Sequence, residues 1–166
     1  LRKGKNTLSV VLADGWYAGY MGLNNREWYG SKPRVRINLR ITGTDGAVHT
    51  VTTDSTWKCA YGGLEEADIF EGEKFAAAKE PFGWRENGFD DTKWDSVETG
   101  SEYDLTPVPH PGIGVVEHKR VSPAGITDTE DKKILIRFEE YICGVLNLKL
   151  EGTRGSRIVI RHAEML

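Results

Sequence analysis

Cysteine is scarce in this chain: 166 residues contain two, Cys59 and Cys143, too few for a disulfide-stapled scaffold. Each falls in an expected strand far from the other, and both read as unpaired, buried thiols. Long apolar runs are also missing. None approaches the roughly 20 residues that cross a bilayer, so no membrane partner is expected. Positive charge is not in excess either: 22 Lys and Arg against 25 Asp and Glu leave a net charge of -3. That balance offers no footprint for nucleic acid or anionic lipid. His49, His110, His118 and His162 lack the spacing of a zinc site. "GYMGLNN" has glycines but no following Lys-Ser or Lys-Thr, which removes the phosphate-loop reading. No nucleophile elbow surrounds a Ser or Cys. Long helical patterns are hard to find, and no period of about 20 to 50 residues points to a solenoid. The first residue is Leu rather than Met and reads as a cut or processed end. No export signal is visible, which assigns the chain to no compartment.

What is present is glycine, tryptophan and alternation. There are 19 Gly, above the usual share of roughly 7%, placed where strands should turn. "NTLSVVLADG" reads as a mostly apolar strand ending in a turn. In "RVRINLRI", Val35, Ile37, Leu39 and Ile41 alternate with Arg34, Arg36, Asn38 and Arg40, the pattern of a strand with one buried and one wet face. Asp45-Gly46 supplies a tight turn, and Val48 to Thr53 returns as an antiparallel partner, with Trp57 entering the core just beyond. Residues 62–100 are irregular; "EKFAAAKE" has helix-forming composition but spans two turns at most before Pro81. Phe82, Trp84, Phe89 and Trp94 read there as aromatic anchors. Four of the six Pro lie at Pro107, Pro109, Pro111 and Pro123, which favours extended linker or strap. Strand pattern resumes in "KKILIRFEE", "CGVLNLKLEG" and "SRIVIRHAEML". The expected fold class is therefore all-β, an antiparallel sandwich over residues 1–102, a Pro-rich linker over 103–126 and the start of a second β-sandwich over 127–166.

The stretch "ADGWYAGYMGLNNREWYG" packs two Trp, three Tyr and four Gly into eighteen residues. An aromatic ring can cover the C–H face of a sugar while amides and carboxylates read the hydroxyls. Trp28 and Tyr29, with Asn24 beside them, are the candidate carbohydrate platform. The competing reading is a loop folded over its own core, with Trp16 buried, Trp16 and Tyr29 closing the end of the sandwich, and glycines turning the chain. Acidic residues are plentiful between Glu65 and Asp91. Glycoside hydrolysis needs two carboxyl groups about 5 to 9.5 Å apart, one with a raised pKa, and no acid is marked as such. "DIFEGE" sets Asp68, Glu71 and Glu73 around a Gly, an oxygen-rich turn that could hold Ca2+ although it lacks the EF-hand rhythm. The alternative is that Glu71 and Glu73 pair with local Lys or Arg, or cap backbone N–H groups.

"ADGWYAGYMG", "WYG", "TTDSTWK", "EEADIFEGEKFAAAKEPFGW", "FDDTKW" and "GVLNLKLEGTRGSRIVIRHAEML" together resemble the non-catalytic region of bacterial alpha-L-rhamnosidases, over nearly the whole chain. The resemblance implies a jelly-roll-like N-terminal sandwich, then the opening strands of a concanavalin-like sandwich. It implies that this chain alone is not an enzyme, because the family's catalytic carboxylates lie in a separate helical barrel with no counterpart here. The expected partners are the rest of a parent glycosidase, including that barrel, and rhamnose-containing glycans. Some similar rhamnose-binding modules use calcium, which is the implied cofactor for Asp68, Glu71 and Glu73. Two departures stand out. Family members have further strands before the equivalent of residue 1, and "RFEEYICGV" replaces their apolar–Asp–Phe–Gly–Gln–Asn run.

Overall fold

The computed structural model describes residues 1–22, 25–100 and 108–164. The chain divides into two compact units, Leu1–Thr106 and Pro107–Leu166. The boundary expected near residue 102 lies outside the described residues.

In the first unit, β1 (Asn38–Thr42) and β2 (Val48–Thr52) form the expected antiparallel hairpin, with Leu39 opposite Val51 and Arg40 opposite Thr50. Ile37, Leu39 and Ile41 are half-buried and the residues between them exposed. Val35, expected on the same face, lies before the strand and is exposed, as is every residue of β2. The alternation reports two faces from Ile37 to Ile41 only. The connection is longer than a two-residue turn. Gly43 O accepts from Gly46 N–H at 3.0 Å, Gly43 N–H donates to Ala47 O at 2.8 Å, and Gly46 takes φ +80°. This is a type I turn closed by a left-handed residue, with the Asp45 carboxylate accepting from Ala47 N–H at 3.0 Å. Beyond the hairpin, Trp57 is half-buried and donates its indole N–H to Thr52 O at 3.2 Å. β3 (Lys58–Cys59) pairs with β6 (Asp95–Ser96).

The segment expected to be irregular contains a second hairpin. β4 (Leu64–Asp68) runs antiparallel to β5 (Gly72–Phe75), Asp68 opposite Gly72 and Leu64 opposite Phe75. The "EKFAAAKE" run thus opens as strand, residues 73–75 of β5, and continues into one 3-10 turn at Ala77–Lys79. Pairing with β4 overrides a helical preference too short to nucleate. Trp84, Phe89 and Trp94 do cluster, with centroids 6.3 Å (Trp84–Trp94) and 5.4 Å (Phe89–Trp94) apart. Phe82 does not join them and is almost wholly exposed.

The N-terminal segment departs from expectation. Residues 6–13 form no strand, and Leu8, Val10, Val11 and Leu12 are exposed. An apolar run gives no ladder without a partner; here side chains make the tie, Thr7 Oγ1 to Asn87 Oδ1 at 2.7 Å and Asn87 Nδ2 to Lys5 O at 2.9 Å. The chain then makes one helical turn, α1 (Gly15–Ala18). Both cysteines are unpaired but exposed, not buried. Cys59 sits in a two-residue strand, and Cys143 in a segment without ladder bonds.

In the second unit, β7 (Gly125–Asp128) pairs antiparallel with β8 (Ile134–Arg137). β7 begins in what reads as linker: Pro123 hides a strand that starts just after it, where a missing N–H costs little. Its turn repeats the β1–β2 design, with Lys132 N–H donating to Thr129 O at 3.0 Å and Lys132 at φ +62°. Residues 144–151 and 157–162, expected as strands, carry no ladder. Their connection does turn, through Ser156 N–H to Thr153 O at 3.0 Å. Leu146, Leu148, Leu150, Ile158 and Ile160 remain exposed. Period-two alternation identifies a face, and a face becomes a strand only when a neighbour supplies its hydrogen bonds.

The architecture is all-β with antiparallel sheets, four of two strands each among the described residues. Ala18 is the one fully buried apolar side chain among them. The paired turns give a test. Gly46→Ala should lower the stability of the first unit by about 1 kcal/mol, and Lys132→Gly should raise that of the second by roughly 0.5 kcal/mol, because only the glycine tolerates positive φ freely. Chemical denaturation midpoints report both changes.

Candidate functional site

The aromatic loop is built on two glycines and one arginine. A Cβ on Gly19 would lie 2.3 Å from Gly15 O and 2.5 Å from Asp68 Cβ, and one on Gly30 would lie 2.4 Å from Tyr17 Oη. Only a residue without a side chain lets the backbone approach this closely. Arg26 pairs with Tyr20 as an isolated antiparallel bridge, donates through Nη2 to Asp14 Oδ2 at 2.8 Å, and stands 5.5 Å over the Tyr20 ring. Met21 N–H to Asn25 O at 3.2 Å completes the closure.

Asp68, at the end of β4, joins this loop to the second hairpin. Its Oδ1 accepts from Phe70 N–H at 2.8 Å and Glu71 N–H at 2.7 Å, and its Oδ2 accepts from Tyr20 N–H at 3.1 Å. The Glu71 N–H is the main cause that holds the Asp68 carboxyl below the ordinary carboxylate value; desolvation opposes it, and Tyr20, Phe70 and the Arg26 charge add to the lowering. Trp16 meets Phe70 edge to face, centroids 5.9 Å apart at 88°. The structure therefore brings the front of the aromatic loop onto the acidic turn.

The individual candidates fare differently. Trp16 is 51% exposed rather than buried, since Phe70 covers one edge only. Trp28 and Tyr29 are exposed at 64% and 58%, the disposition a platform requires. Asn24 lies outside the described residues. Glu71 lies in the turn and Glu73 on β5 opposite Ala67. No group of three acidic, His or Cys side chains converges as a metal site among the described residues, and Asp68 accepts three backbone bonds. The sequence signal for that capping role is Asp68 two residues before Phe70 with Gly72 closing the turn, the spacing at which an Asp side chain mimics a backbone turn.

Other acids are equally engaged. Glu65 pairs with Lys79, and with Lys74 at 3.0 Å, which lowers its pKa, Lys79 foremost. Glu80, which the sequence does not single out, accepts from Gly63 N–H at 2.8 Å and the Trp84 indole N–H at 2.6 Å. Gly63 foremost, then Trp84, lowers its pKa. Asp54 and Asp90 are lowered by Thr56 and Thr92, their hydroxyls foremost. A general acid for glycoside cleavage needs the opposite shift.

Residues 1–120 match the family model described as the alpha-L-rhamnosidase N-terminal domain. The chain belongs to that family. An alpha-L-rhamnosidase of Streptomyces avermitilis is 30% identical over 171 residues, and one of Alteromonas sp. 27% identical over 170. Each alignment covers 100% of this chain but only 16% and 18% of those proteins, so the chain spans about a sixth of the length of the curated relatives it matches. Among solved structures, the Streptomyces avermitilis alpha-L-rhamnosidase complexed with L-rhamnose is 35% identical with a TM-score of 0.50, over 53% of this chain and 9% of that one. The native Aspergillus terreus enzyme is 28% identical with a TM-score of 0.52, over 74% of this chain and 14% of that one.

In this family member the Glu80 bridge sets a pH dependence. A carboxyl whose folded pKa is lowered contributes stability above its ordinary value of 4.5, and that contribution is lost as pH falls through the folded value. Thermal melts between about pH 7 and pH 3 should therefore show a decline at the acid end that Glu80→Gln flattens, accompanied by a Trp84 fluorescence change in the wild type. An identical acid limb in the variant would contradict the bridge.

Proposed function

We propose that this chain is a non-catalytic N-terminal portion of an alpha-L-rhamnosidase-like glycoside hydrolase. It supports a catalytic domain, a helical barrel in the family it resembles, carried elsewhere in a longer polypeptide. The observation that carries the reading is the state of the acids: among the described residues, every carboxyl with a shifted pKa is lowered by a local donor. Such carboxylates hold turns and loops in place and are poor proton donors near neutral pH. The apolar side chains of residues 145–160, which face outward in the second unit, supply surface for packing against further domains. The share of each relative that the chain covers agrees with this role.

A second reading rests on the exposure of Trp28 and Tyr29: a platform for rhamnose-containing glycan at the outer part of the loop. The related Streptomyces avermitilis structure is a complex with L-rhamnose, which makes that sugar the probe of choice. The acids of the Asp68 turn do not fit a calcium site as they stand, since Asp68 is engaged by the backbone and no acidic trio converges among the described residues.

The purified chain should release no aryl alcohol from an aryl alpha-L-rhamnoside; turnover that survives removal of contaminating enzyme would sink the first reading. An L-rhamnose titration followed by NMR, with and without calcium, tests the second. It expects weak, millimolar-range shifts confined to residues 27–30, and their absence at high millimolar sugar removes the platform.

A further inference from the structure

The outward face of the β1–β2 hairpin carries donors and no acid. Arg36, Asn38 and Arg40 follow one another along the first strand and its lead-in, and Asn38 stands opposite Thr52 and Arg40 opposite Thr50. Directly paired residues share a face, so these five polar side chains lie together, and all five are exposed. The lead-in is held in line by Ile37 N–H to Thr53 Oγ1 at 3.3 Å and Thr53 N–H to Ile37 O at 3.1 Å. Elsewhere in the first unit Arg26 pairs with Asp14, Lys32 with Glu98, Lys79 with Glu65 and Arg85 with Glu80. Arg36 and Arg40 have no carboxylate partner among the described residues, although the chain as a whole is acidic.

Two free guanidinium groups whose Cα atoms lie about 13 Å apart along an extended strand present paired N–H forks for carboxylates. The amide and hydroxyls between them suit an oxygen-rich ligand. An extended strand pair is flat and linear, which matches a polymer laid along it. Nucleic acid is a poorer fit, because these five side chains include no aromatic ring on which a base could stack. We propose that this face binds an acidic polysaccharide, with uronate carboxylates on Arg36 and Arg40 and sugar hydroxyls on Asn38, Thr50 and Thr52. The choice of a glycan over an acidic protein rests on the carbohydrate-active reading above.

Native electrophoresis through gels containing polygalacturonate, neutral dextran or poly-L-glutamate tests this. The wild-type chain should be retarded by polygalacturonate alone, less so as salt rises. Arg36→Gln/Arg40→Gln should weaken the apparent affinity by roughly tenfold or more, an energy of about 1.4 kcal/mol, with an unchanged circular dichroism spectrum. Lys149→Gln/Arg157→Gln, which removes the same charge from the second unit, should retain the retardation. No retardation of the wild type, equal retardation of the Arg36/Arg40 variant, or retardation by poly-L-glutamate instead would each overturn the proposal. Those outcomes leave the scaffold reading standing; only turnover of the aryl rhamnoside removes that.

Discussion

The carboxylate of Asp68 is the constraint on which the first unit depends. One side chain closes the β4–β5 turn through Phe70 and Glu71 and, with its other oxygen, holds the backbone of the aromatic loop at Tyr20. A charged acceptor serving backbone donors is among the stronger hydrogen-bonding arrangements available at a half-exposed site. It also explains why position 19 is glycine: a side chain there would collide with Asp68 itself. The edge-to-face contact of Trp16 and Phe70 and the Arg26–Asp14 pair then close the loop around that anchor.

The abundance of aromatics in this loop thus has two explanations. Trp16, Tyr17 and Tyr20 serve architecture, because each meets the second hairpin or the loop's own backbone and cation. Trp28 and Tyr29 lie beyond Arg26 and project into solvent. Architecture and recognition can share one segment because the anchor fixes its first half and leaves the second half presented on a supported base. The same economy of side chains runs through the unit, where Glu80 joins Gly63 to Trp84 much as Asp68 joins two hairpin amides to Tyr20.

The β1–β2 hairpin was legible because its signal is local: alternation marks the faces and Asp45-Gly46 marks the turn. The family was legible because many aromatic, Gly and Asp positions recur in order along the whole chain. The β4–β5 hairpin was not, because "LEEAD" and "GEKF" alternate weakly and Ala-rich sequence beside them favours helix until tertiary pairing overrides it. The reverse error arose at residues 6–13 and 144–162, where apolar patterning is strong and no ladder forms. Burial misled in a similar way: Trp16, Cys59 and Cys143 are residue types usually found inside, yet pairs of two-stranded sheets enclose little interior. The capping role of Asp68 is not legible in the sequence, since spacing shows that an acid can reach a nearby amide and not that a distant loop will offer one.

Amide hydrogen exchange tests the central claim most directly. With Asp68→Ala, the Tyr20 amide and those of Ala18 and Gly19 should exchange markedly faster, together with Phe70 and Glu71, while the ladder amides of the β1–β2 hairpin keep their wild-type rates. Unchanged protection at Tyr20 in a variant whose β4–β5 turn has opened would contradict the account, because the loop would then be held by something other than the Asp68 carboxylate.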